Sequence, residues 1–139
     1  MWNITKMSKI SKIPTDTLRY YDKLKIVSPK RAGNGYRYYD EKDYILLQYV
    51  SVMKYAHFSL SDIKKVIQSF KLEVSENCNK VNYGIFTSKR TELIEMIKNY
   101  QGIVKLIDNL LPMVEGSKNY YENEQKIAAL VQEIYQSIS

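Results

Sequence analysis

The sequence predicts a mainly α-helical chain, with a small basic head of short helices and one β-hairpin, then a long amphipathic helix and a shorter C-terminal one. Three observations predict it. Thr17-Leu18-Arg19-Tyr20-Tyr21 reads as a short basic helix, and Arg31-Ala32-Gly33-Asn34-Gly35-Tyr36-Arg37 reads as a basic hairpin. From Phe86 to Leu111, apolar residues recur in steps of seven, four, three, four, three and four. The boundaries fall at 1–75 for the head, 76–112 for the long helix and 113–139 for the C-terminal segment.

The first helix is expected from Thr5 to Ile10 with Thr5 as its cap, Ile4, Met7 and Ile10 as its buried stripe, and Ser8 small enough for close approach. Ser11 to Pro14 then has the length of the turn that joins two helices in a helix-turn-helix. In the second helix Asp16, Arg19, Tyr20 and Lys23 fall at i, i+3, i+4 and i+7 and share a face, while Leu18, Tyr21 and Leu24 point elsewhere. That polar face carries residue types that read base edges in a DNA groove.

Lys30 and Arg31 precede Gly33-Asn34-Gly35, whose residues accept positive φ, and Tyr36-Arg37-Tyr38 then alternates like a strand. Arginine offers a forked donor set to phosphate oxygens, and tyrosine a hydroxyl on a stiff ring. Asp40 with Asp43, and Ser59 with Asp62, resemble capping boxes, with Tyr39–Tyr44 and Phe58–Ile63 as flanking apolar staples. The helices they start are expected over Glu41 to Tyr55, with Leu46, Leu47, Val50 and Met53 inward, and over Leu60 to Lys71, with Ile63, Val66, Ile67 and Phe70 inward.

The heptad seam comprises Phe86, Leu93, Ile97, Tyr100, Val104, Ile107 and Leu111, interrupted by Arg90. A helix through these 26 residues is about 39 Å long at the α-helical rise. The remaining chain is too short to cover it, so the natural partner is the same helix in a second subunit, in an antiparallel pair. Pro112 is expected to end it, Glu115-Gly116-Ser117 to form a loop, and Tyr120 to Ile138 to form a last helix with Ile127, Leu130, Val131, Ile134 and Ile138 inward.

Thr17-Leu18-Arg19-Tyr20-Tyr21, Ile26-Val27-Ser28-Pro29, Asn34-Gly35-Tyr36-Arg37-Tyr38-Tyr39 and Phe58-Ser59-Leu60-Ser61-Asp62-Ile63, in this order and spacing, resemble the winged helix-turn-helix DNA-binding domain of the MerR family of bacterial transcription regulators. The likeness covers residues 1 to about 70. It departs at Lys12, Lys25 and His57, where the family often has glycine, and at Pro14, where a serine cap is common, so the second helix is expected to start at Thr15. The resemblance implies a homodimer on a pseudo-palindromic promoter site, acting with RNA polymerase. It also implies an effector region at the ends of the dimer helix and in the C-terminal segment.

On the residues and the resemblance together, the expected DNA contacts are Thr15, Asp16, Arg19, Tyr20 and Lys23 on the helix, with Lys30, Arg31, Tyr36 and Arg37 on the hairpin. Arg19 is matched to guanine, and Asp16 to a cytosine amine or to orienting Arg19. Charge agrees: residues 1–75 hold 14 Lys and Arg against 7 Asp and Glu, and residues 76–139 hold 7 against 8. For a small-molecule effector the candidates are Cys78, Tyr120 and Tyr121.

Other classes are disfavoured by what the chain contains. One cysteine and one histidine, Cys78 and His57, cannot supply the ligands of a soft-metal or iron–sulfur site, so no cofactor is expected. The same scarcity, with no phosphate-cradling glycine loop, argues against an enzyme. Met1-Trp2-Asn3-Ile4-Thr5-Lys6 opens no signal-peptide core and no run approaches a membrane span, so a cytoplasmic protein without membrane contact is expected. The competing readings are an architectural DNA-binding protein, such as a recombination directionality factor, and a pure coiled-coil interaction protein.

Overall fold

In the computed structural model, which describes residues 1–71, 76–116 and 120–139 and all of their side chains but those of 76–78 and 120, Asn3 rather than Thr5 starts the first helix. Asn3 Oδ1 accepts from the Lys6 N–H at 2.8 Å, and α1 runs Ile4–Ser11. An asparagine in extended conformation is as good a cap as threonine, and here it also ends a strand, β1 (Trp2–Asn3), that the sequence did not announce. Met7 is fully buried with Ile4 and Ile10 packed beside it, and Ser8 Oγ donates to the Ile13 carbonyl at 2.6 Å across the turn.

Helix α2 spans Thr15–Lys23, following Pro14. Its end is a Schellman turn: Ile26 N–H reaches the Tyr21 carbonyl at 2.9 Å, Lys25 N–H reaches that of Asp22 at 3.0 Å, and Lys25 is left-handed at φ 61°. The same device ends α3 (Glu41–Tyr55), where Phe58 N–H bonds to Met53, His57 N–H bonds to Lys54, and His57 stands at φ 63°. Lys12, at φ 59°, closes α1. Lys12, Lys25 and His57, the three positions at which the resemblance led us to expect glycine, are thus all left-handed.

Strands β2 (Lys30–Arg31) and β3 (Arg37–Tyr39) form the hairpin, and β1 adds to the other side of β3, giving an antiparallel sheet of order β1-β3-β2. Gly35, at φ 82°, closes the turn with its N–H on the Ala32 carbonyl at 2.9 Å. The full reciprocal capping box forms at Asp40 and Asp43 before α3. Ser59 caps α4 (Leu60–Ser69) through the Asp62 N–H at 3.1 Å.

The core of the unit Met1–Phe86 gathers Met7, Leu18, Tyr21, Ile26, Val27, Tyr39, Leu47, Val50, Ile63, Val66 and Ile67. Phe70, expected inward, is 53% exposed, because α4 stops at Ser69 and Phe70 turns against Tyr49, with ring centroids 5.5 Å apart and the rings tilted at 56°.

Helix α5 runs Glu76–Val114 and α6 runs Tyr120–Ile138. Pro112 does not end α5. Proline here withholds its own N–H and crowds the carbonyl one turn back, yet the helix continues, for Glu115 N–H still bonds the Leu111 carbonyl at 3.0 Å; Gly116, at φ 78°, makes the stop. In the unit Thr87–Ser139, α6 lies on α5, with Ser137 Oγ donating to Asn99 Oδ1 at 2.6 Å and Ile134 against Gly102, where an added Cβ would come within 3.3 Å. Ile127 is buried and Leu130 and Ile134 are half-buried, whereas Val131 and Ile138, expected inward, are exposed because they stand off the line that meets α5.

Candidate nucleic-acid interface

Helix α2 offers its polar face to solvent because its other side is spent on the core: Leu18 and Tyr21 are buried, while Asp16, Arg19, Tyr20 and Lys23 are exposed and Thr15 is half-buried. Arg19 Nη1 donates to Asp16 Oδ1 at 2.9 Å, one turn back on that face. The pair orients the guanidinium while leaving most of its fork open.

The hairpin stands beside this face. Arg19 lines one cleft of about 640 Å³ together with Tyr36, Arg37, Tyr38 and the start of α1. It also lines a second, of about 520 Å³, with Lys23, Lys25, Arg31 and Arg37, which has Asp22 among its walls. Of the residues singled out in the sequence, Arg19, Lys23, Arg31, Tyr36 and Arg37 therefore come together. Thr15, Asp16 and Tyr20 continue along α2, and Lys30 lies on β2 with its Nζ 3.8 Å from Asp40 Oδ2.

Asp22 is the residue that sequence reasoning missed. It is 7% exposed, and its Oδ2 accepts from Arg37 Nε at 2.9 Å and from Arg31 Nη2 at 3.0 Å. Arg31 Nη1 also donates to the Gly35 carbonyl at 3.1 Å, so the same side chain braces the turn. The signal was present: Asp22 follows Leu18 by four residues and so falls on the buried stripe, where a carboxylate requires cationic partners.

Charge is also arranged at the start of α3. The backbone N–H of Asp43 holds the Asp40 carboxyl below the ordinary aspartate value of 3.8, with Lys30 adding to the effect. Burial pushes Asp43 the other way, above 3.8. Tyr39, fully buried between the wing strands and the core, has its phenol pushed up to about 12 by desolvation, and its hydroxyl has no hydrogen-bond partner.

On α5 the seam residues Phe86, Ile97, Tyr100, Val104, Ile107 and Leu111 are exposed, and Leu93 is half-buried. Tyr121 is exposed on α6; Cys78 and Tyr120 lie outside the described residues. Among the described residues there is no group of three or more His, Cys, Asp or Glu that could hold a metal ion, and no helix is long and apolar enough to cross a membrane.

Two short helices joined by a tight turn, the second with an open cationic face beside a small basic sheet, define a winged helix-turn-helix protein. Residues 2–69 match the family model described as MerR HTH family regulatory protein. The HTH-type transcriptional regulator YyaN of Bacillus subtilis, itself uncharacterized, is 32% identical over 97 residues, which are 68% of this chain and 70% of that protein. The chain belongs to the MerR family of transcription regulators.

The HTH-type transcriptional regulator SkgA of Caulobacter vibrioides is 24% identical over 119 residues, 85% of this chain but 44% of SkgA, so the chain spans less than half the length of that relative. A crystal structure of a MerR-family transcriptional regulator from Bacillus cereus shares the fold with a TM-score of 0.65 at 21% identity, over 95% of this chain and 97% of that one.

Proposed function

We propose that this chain binds double-stranded DNA as a homodimer at a pseudo-palindromic promoter site and regulates transcription there. One observation carries the reading: the Asp16–Arg19 face of α2 is open to solvent beside a wing whose two arginines are already tied to that helix. With α2 in the major groove, Arg19 pairs with guanine O6 and N7 while Asp16 holds it in line. Thr15 and Tyr20 reach neighbouring edges and phosphates. Lys23, Lys30, Arg31, Tyr36 and Arg37 supply backbone contacts that fix register without reading sequence.

The exposed seam on α5 supports dimerisation: a second copy laid along Ile97, Tyr100, Val104, Ile107 and Leu111 would remove a contiguous apolar stripe from water. An antiparallel pair places a head toward each end, and two recognition helices on successive major-groove faces need a separation of about 34 Å. RNA polymerase at the promoter is the protein partner in this reading; for a small-molecule effector the candidates are Cys78 and, separately, Tyr120 and Tyr121 in the C-terminal segment.

Footprinting on the upstream region of its own gene at two salt concentrations, with molecular mass measured in parallel, tests the proposal. A roughly symmetric site about two helical turns long, bound by a dimer, supports it. Sequence-blind binding that collapses with salt points to an architectural role instead, since backbone electrostatics alone behaves that way. Failure to bind any DNA refutes both.

A further inference from the structure

Both strands of the wing hang on the reading helix through a single oxygen atom. Asp22 Oδ2, on the last turn of α2 and three residues after Arg19, accepts from Arg37 on β3 and from Arg31 on β2, and those two arginines face each other in register. Asp22 is the only charged side chain buried among the described residues. A buried carboxylate is tolerated only when it is paired, so the two guanidinium groups fix helix and wing against each other before any DNA arrives. The arithmetic of charge matters as well. One negative against two positive charges compensates one wing arginine and leaves the other, and that compensation restrains the phosphate attraction that acts on every sequence alike.

We propose that Asp22 is a positioning residue for DNA recognition: it sets the register of α2 and the wing, and by compensating one wing charge it favours selected sequences over sequence-blind binding. The proposal rests on the DNA-binding reading above.

The test begins with the full chain enriching duplexes from a random-sequence pool. The enriched duplex and poly(dI-dC) are then titrated with wild type, D22N and D22E over a range of salt, below the melting temperature of each protein. D22N is expected to lose about tenfold or more of its preference for the enriched duplex. On poly(dI-dC) its plot of log affinity against log salt steepens by about 0.9 for each phosphate neutralised beyond those of wild type, once the charge of Asp22 no longer offsets the wing arginines. D22E, which restores the charge, is expected to return the slope to that of wild type and to recover part of the preference.

An ion pair that serves stability alone lowers the melting temperature of D22N and leaves preference and slope at wild-type values, and that result overturns the proposal. Should D22N not fold, the wild type still decides. By NMR, the Arg37 Nε–H is expected to exchange slowly with solvent both free and on the enriched duplex; fast exchange on DNA means Arg37 has left Asp22, which also overturns it. A wild type that enriches no sequence refutes the DNA reading itself, a result separate from any comparison of variants.

Discussion

Arg37 Nε donates to Asp22 Oδ2 at 2.9 Å, joining the wing to the helix fifteen residues earlier. The Arg37 side chain is 22% exposed, whereas that of Arg31, the second partner, is 51% exposed and better solvated. Arg37→Ala is therefore expected to cost about 1–3 kcal/mol of stability, since it leaves a buried acceptor with its weaker partner. Arg31→Ala should cost less. Urea unfolding ranks the two, and the reverse order refutes the assignment of Arg37 as the main anchor.

Arg19 behaves differently because its partner Asp16 is almost wholly solvated, and exposed pairs contribute little to stability. Arg19→Ala is expected to leave the urea midpoint near that of wild type and to weaken binding to a selected duplex by about 1–3 kcal/mol. An unchanged dissociation constant removes Arg19 from the reading face.

Tyr39 carries a buried hydroxyl without a partner, a cost that the ring's packing offsets. Tyr39→Phe keeps the ring and deletes the orphan, so stability is expected to hold or to rise by up to about 1 kcal/mol. The raised phenol gives a second readout. Folding favours the protonated form, so this contribution is complete below the ordinary value of 10 and is lost as pH climbs through that value toward about 12. Phenolate absorbance should contain a component that ionises near pH 12, and Tyr39→Phe should abolish it.

Lys25 holds a left-handed backbone that glycine adopts freely. Lys25→Gly relieves the steric cost but adds freedom to the unfolded chain, for a net gain of about 0.5–1 kcal/mol. His57→Gly should gain less, because histidine tolerates this region better than lysine. Thermal melts of the two variants check the ordering.

The capping box predicts a split titration. As pH falls, Asp43 should protonate first, above 3.8, because it is desolvated, and Asp40 last, below 3.8, because its carboxylate is held by a backbone N–H. Linkage gives opposite signs. Asp40 contributes stability that is present above 3.8 and lost as pH drops through its depressed value, whereas Asp43 favours folding only as it becomes protonated. Carboxyl carbon chemical shifts followed from pH 6 to about 2 resolve the order.

Much of the head was legible because its signals are local. The polar face of α2 follows from 3.6-residue periodicity, the hairpin from Gly33-Asn34-Gly35, and the start of α3 from Asp40 and Asp43. Asp22 escaped because its partners lie nine and fifteen residues away, and a pattern of spacing along one helix does not say which cation faces a carboxylate. Two-residue β1 escaped for a related reason, since Trp2 and Asn3 become a strand only when Tyr39 and Tyr38 stand beside them.

By itself the sequence determined the six helices to within a few residues at their ends, the hairpin, the polar face of α2 and the concentration of positive charge in the head, all properties set by residues a few places apart. Tertiary structure alone decided that Asp22 gathers Arg31 and Arg37 into one anchor, that Phe70 turns outward onto Tyr49, and that of the apolar residues on α6 only Ile127, Leu130 and Ile134 are sheltered. The reason is common to all three. A buried charge, a ring contact and a helix crossing take their energy from groups far apart in the chain, and that energy exists only once folding has placed them in van der Waals or hydrogen-bonding reach.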